Sequence, residues 1–79
     1  MKTTKAYILI ETLPGKGMEL VGSVKSIPGV LTVDLVTGPY DVIAHVEAPD
    51  LKSLGDMIVK KIQATGFIAR TLTCITVED

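Results

Sequence analysis

The sequence predicts an α+β fold, one four-stranded antiparallel sheet with two helices on one face, in the order β-α-β-β-α-β. Three observations predict it. Four short runs are rich in β-branched and apolar residues, and two longer stretches between them repeat apolar residues at helical spacing. The halves share a layout: Ala6 and Val42 open corresponding strands, and Gly29 and Gly66 close corresponding helices at nearly the same separation. Right-handed crossovers in each half then put both helices on one side of the sheet.

The first strand is expected over Ala6 to Thr12. Ala6, Ile8 and Ile10 point one way and Tyr7 and Leu9 the other, so it reads as covered on both faces. Leu13-Pro14-Gly15-Lys16-Gly17 turns into a helix whose stripe is Met18, Val21, Val24 and Ile27, with Leu20 beside it. Gly22 inside that helix suggests a close approach to the sheet, and Pro28-Gly29 ends it. Val30 to Val36 is the second strand. Thr37-Gly38-Pro39-Tyr40-Asp41 follows as a hairpin tip joining the two central strands, since Gly-Pro punctuates extended structure.

The third strand runs from Asp41 to Ala48, with His45 and Glu47 opposite Val42, Ala44 and Val46. Asp50 is the expected N-cap of the second helix, whose stripe is Leu51, Leu54, Ile58 and Ile62. Lys60 and Lys61 suit its last turns, and Gly66 its end. Ile68 to Val77 is the last strand. This is the ferredoxin-like βαββαβ sandwich, with spatial strand order 4-1-3-2 expected by analogy.

Seventy-nine residues make a single domain, 1–79, with a small core. One cysteine permits no internal disulfide, and no cluster of His and Cys offers a metal site, so neither metal nor cofactor is expected. With 47% hydrophobic residues, oligomerisation is the remaining staple. Two helices on one face leave the other bare, and strand one is apolar there too. A dimer whose sheets cover one another, a dimeric α+β-barrel arrangement, resolves this. A net charge of −1 with scattered lysines gives no case for nucleic acid or an anionic membrane. The chain lacks the roughly 18 consecutive apolar residues of a membrane span. The start shows no leader pattern, which makes a cytoplasmic protein the default.

Ile27-Pro28-Gly29-Val30, then Val33 and Val36, then Thr37-Gly38-Pro39-Tyr40-Asp41, a Leu-rich helix and Thr71-Leu72-Thr73-Cys74-Ile75 follow one another at set spacing. Together they resemble the ligand-binding (RAM) domain of the Lrp/AsnC family of feast/famine transcriptional regulators, over essentially the whole chain. The strand beginning by residue 6 leaves no room for a helix-turn-helix, so the chain resembles stand-alone RAM proteins with no DNA-binding domain. The resemblance implies homodimers assembling into octamer-like rings. It also implies a small effector, usually an amino acid, bound near subunit interfaces. Co-assembly with full-length family members would give such a protein its route to transcription. The family usually carries an acidic or polar residue where Pro39 stands, so this tip is stiffer and lacks one N–H donor.

A free amino acid needs donors for its carboxylate beside an acceptor for its ammonium. The hairpin offers Asp41 as acceptor, with donors in the Tyr40 hydroxyl and the backbone near Gly38. Thr71 and Thr73 share one face of the last strand and add hydroxyls. The candidate ligand-binding residues are therefore Thr37, Gly38, Pro39, Tyr40, Asp41, Thr71 and Thr73. The plainer readings are a turn glycine, an aspartate bonded within its hairpin, and threonines chosen for β-propensity. His45, with Glu47 two positions on, reads as structural or interfacial, Cys74 as a small buried hydrophobe, and Met18 and Met57 as packing. Lys60-Lys61 reads as a solvated helix end. The leading expectation is a non-enzymatic amino-acid sensor. The alternatives are a purely structural assembly module and a small α+β-barrel enzyme using His45.

Overall fold

The computed structural model describes residues 3–77. Four strands, β1 (Thr4–Thr12), β2 (Val30–Leu35), β3 (Val42–Ala48) and β4 (Ile68–Ile75), form one sheet in the order β2-β3-β1-β4. Every neighbouring pair is antiparallel. The predicted order and topology match. The hairpin, however, joins edge strand β2 to β3 rather than two central strands.

Register decides which side chains share a face, because directly paired residues project the same way. Ala6, Ile8 and Ile10 pair with Val46, Ala44 and Val42, and all six are fully buried. Helix α1 (Gly17–Lys25) adds Leu20 and Val24 to them, and helix α2 (Leu51–Asp56) adds Leu54. The opposite face is open in the single chain, with Tyr7 45% and Leu72 48% exposed. Strand β1 is thus covered on one face only within the chain.

Helix α2 starts where Asp50 accepts a hydrogen bond from the Ser53 amide at 2.8 Å. It continues as a π-helical run over Met57–Ile62 and a 3-10 turn over Gln63–Thr65. Leu54, Ile58 and Ile62 are four apart, and such a row drifts about 40° per step on a regular α-helix. The looser i→i+5 winding takes up that drift, so Ile62 is buried and Ile58 packs on the core. Gly66, at φ +84°, closes the run in the left-handed region.

Several expected core positions lie outside it. Met18 is 73% exposed, because a row spaced by three drifts about 60° per step and the buried pair is Leu20 with Val24. Leu51, at the first position of α2, is also exposed. Nothing lies within 4 Å of a Cβ built on Gly22, so no close approach to the sheet explains it. The close glycines are Gly29 and Gly17. Cys74 is exposed, since it lies on edge strand β4 opposite Tyr7 on the open face.

Candidate functional site: the hairpin before β3

Asp41 is held on three sides. Its amide donates to the Ile10 carbonyl at 2.9 Å, extending the β1–β3 ladder, and its carbonyl accepts from the Val36 amide at 2.8 Å. Its carboxylate Oδ2 accepts from the Thr12 amide at 2.9 Å and from the Thr12 hydroxyl at 3.3 Å. The β1–β4 register slips between Glu11 and Thr12. A bulge disrupts the regular ladder, and the Asp41 side chain satisfies the amide there. The Asp41 side chain therefore bonds to the end of β1 rather than within its own hairpin.

Gly38 adopts φ +153°, a conformation that glycine supplies readily, with open space around it. Thr37, Gly38 and Pro39 are exposed, and Tyr40 and Asp41 are partly buried. The Tyr40 ring lies under the Arg70 guanidinium, 5.2 Å from Cζ to centroid, and Arg70 Nε is 3.2 Å from Glu11 Oε1. Such a cation–π contact contributes about 0.5–1 kcal/mol at an exposed site. Glu11, Thr12 and Arg70 thus belong to the hairpin's surroundings, although the linear sequence singles out none of them. The signal that finds them is the pairing of Glu11 with Arg70 across β1 and β4.

Thr71 and Thr73 lie apart from this group. They pair with Ile10 and Ile8, so their side chains project on the helix side of the sheet, whereas Arg70 pairs with Glu11 on the open side. Thr71 lines a cleft of about 240 Å³ with Gln63 and Ile68, which Arg70 also borders. Thr73 is exposed along the same edge strand. The hairpin and these two threonines do not form one enclosed pocket within a single chain.

His45 stacks on Tyr7 at 4.4 Å between centroids and 7° between planes. Glu47 does not pair with it: its Oε1 accepts from the Thr3 hydroxyl at 3.1 Å. Among the described residues, no group of three or more His, Cys, Asp or Glu is placed to hold a metal ion. No described helix is long and apolar enough to cross a membrane.

The family model for the Lrp/AsnC ligand binding domain matches residues 5–79. An uncharacterised HTH-type transcriptional regulator of Pyrococcus horikoshii is 30% identical over 92% of this chain and 51% of its own. The chain spans about half the length of the curated relatives it matches. The crystal structure of a hypothetical protein from Pyrococcus horikoshii is 34% identical. It superposes with a TM-score of 0.89 over 96% of this chain and 92% of that one. A Neisseria meningitidis transcriptional regulator, solved as a complex with L-methionine, shares the fold at 15% identity. Its TM-score is 0.86, over 96% of this chain and 51% of that one. The chain belongs to the Lrp/AsnC ligand-binding-domain family.

Proposed function

We propose that this chain is a non-enzymatic, amino-acid-sensing domain of Lrp/AsnC-type transcriptional regulation. It works as a homodimer that assembles further, up to an octamer-like ring. The family match over residues 5–79 carries the reading, and the hairpin geometry supports it. Within the described residues, both donors on Asp41 go to Oδ2. Oδ1 is left to accept from a ligand ammonium, as a carboxylate has acceptor capacity to spare. The exposed backbone at Thr37 and Gly38, with the Tyr40 hydroxyl, supplies donors for a carboxylate. Pro39 offers none and holds the tip rigid. Thr71 and Thr73 join the site only across an interface, because within one chain they lie on the other side of the sheet. The neighbour that binds L-methionine favours an amino acid as the ligand.

The open sheet face supports the dimer. Tyr7, Leu9, Ile43 and Leu72 form its apolar centre across three strands, a surface that a second sheet would bury under two-fold symmetry. Ligand shifts the assembly only if it binds the assembled and dissociated states with different affinity. His45, stacked on Tyr7 within this face, then serves packing rather than catalysis. The protein would act in the cytoplasm, through partners of its own family.

Thermal-shift screening against the twenty amino acids, combined with light scattering, tests the reading. Stabilisation by at least one amino acid, with a change in assembly mass, is expected. No shift with any of them at millimolar concentration sinks the sensing function and leaves the structural assembly module.

A further inference from the structure

A second cleft, of about 320 Å³, opens at the far end of β3 from the hairpin, where the strand passes through Pro49 into α2. The length of β3, at about 3.3 Å per residue, separates the two regions by roughly 20 Å. They cannot share one small ligand. Four features give this cleft a specific chemistry.

Its floor is apolar, formed by Ala48 and Met57. Met57 packs there against the backbone at Gly29, where a Cβ would collide with its methyl group. Its rim carries both signs of charge, Asp56 on one hand and Lys60 and Lys61 on the other. Glu47 borders the cleft with its backbone, its side chain standing on the open face of the sheet. Asp56 keeps acceptor capacity: among the described residues it has only the 3.9 Å pair with Lys52, whose side chain is 89% exposed. Such a surface pair is worth little and yields readily to a ligand. Among the described residues, neither Lys60 nor Lys61 has an ion-pair partner. Finally, Met57, Lys60 and Lys61 all stand on the π-helical run, an irregularity that recurs at functional sites.

We infer that this cleft is a second small-molecule site, for an α-amino-acid-like zwitterion with an apolar side chain. The two lysines take the carboxylate, Asp56 takes the ammonium, and the side chain lies on Ala48 and Met57. A pocket with an apolar floor and a few convergent polar groups is the general form of such sites. The inference is independent of whether the hairpin binds ligand, since no residue is common to both.

Methyl and amide NMR of the intact protein tests it, with L-leucine and L-methionine as probes. Two half-ligands accompany them: 4-methylpentanoate, which lacks the ammonium, and isopentylamine, which lacks the carboxylate. The expected result is saturable shifts of the Met57 and Ala48 methyl signals with an amino acid, and at least tenfold weaker binding of both half-ligands. The double variant K60Q/K61Q should lose tenfold or more in affinity at these signals while keeping its amide spectrum. Hairpin signals at Gly38 and Tyr40 report the other site separately. Absence of cleft shifts with both amino acids overturns the inference. So does an unchanged affinity in K60Q/K61Q, or a half-ligand that binds as tightly as the amino acids.

Discussion

The Asp41 carboxylate accepts both the amide and the hydroxyl of Thr12, 29 residues earlier in the chain. One side chain thereby fastens the hairpin to the β-bulge that ends β1. Hydrogen bonds to a charged acceptor contribute more than neutral ones, and an amide left unmet costs its desolvation as well. Asp41→Ala should destabilise the domain by about 2 kcal/mol, which for a domain of this size lowers Tm by roughly 10 °C. Thr12→Val removes only the hydroxyl contact and should cost about 0.5–1 kcal/mol. Urea unfolding of the two single variants and the double variant closes the cycle. A coupling near zero would mean that the Thr12 hydroxyl adds nothing to the amide contact.

Gly29 tests backbone constraint against space. Its φ is +97°, and a Cβ there would stand 2.7 Å from the Glu47 carbonyl oxygen as well as against Met57. Met57 can swing aside, but the Glu47 carbonyl belongs to β3 and cannot. Gly29→Ala should cost about 3 kcal/mol, summing left-handed strain and overpacking. Gly15→Ala is the matched control: φ is +75° and nothing lies within 4 Å, so only the conformational part, about 1 kcal/mol, remains. Equal losses in thermal denaturation would show that contact at Gly29 contributes nothing.

The strands, both helices and the caps of the second helix were legible because each rests on local chemistry: β-branched runs, Asp50, and Gly66 after an apolar stripe. The strand order came by analogy with the ferredoxin-like fold, and the first helix ends at Lys25, short of Pro28-Gly29. Faces were legible where alternation was strict, as at Ala6, Ile8 and Ile10. What escaped depended on tertiary register. Arg70 looks like one scattered base until β1 and β4 are paired, and only then does it stand beside Glu11 and Tyr40. Thr71 and Thr73 are correctly two apart, yet which face they occupy is set by their partners, Ile10 and Ile8. Met18 and Leu51 fit a helical stripe by spacing, but a short helix covers only one face of the sheet.

Asp50 gives the domain a defined acid dependence. Hydrogen bonds from the Ser53 amide, and then from its hydroxyl, hold the Asp50 carboxyl below its ordinary value of 3.8 in the folded chain. A depressed folded-state pKa contributes stability that is fully present above the unfolded value and lost as pH falls through the folded one. Asp50→Ala should therefore lower Tm at pH 7, and the gap from wild type should shrink below about pH 4. Asp50→Asn, an equally good cap, should stay close to wild type at neutral pH. A wild-type-minus-alanine difference that is flat between pH 7 and pH 2.5 would remove Asp50 as the source.

The open sheet face makes the last prediction. Leu72 pairs with Leu9, which pairs in turn with Ile43, so a lysine at 72 sets a charge in the middle of the apolar row. If two such faces cover one another, each dimer buries two of these charges without partners, a cost of several kcal/mol per ion. Leu72→Lys should shift the protein to monomer by light scattering while leaving its fold intact, because Leu72 lies outside the buried cluster. Cys74 provides an independent reading on the same face. It is exposed in the single chain and pairs with Tyr7, so a covering sheet should shield it. Alkylation of Cys74 by iodoacetamide should be slow in the wild-type assembly and at least tenfold faster in Leu72→Lys. Fast alkylation in both proteins, or an unchanged mass for the variant, would mean that the copies meet through another surface, and the edges along β2 and β4 would be the next to probe.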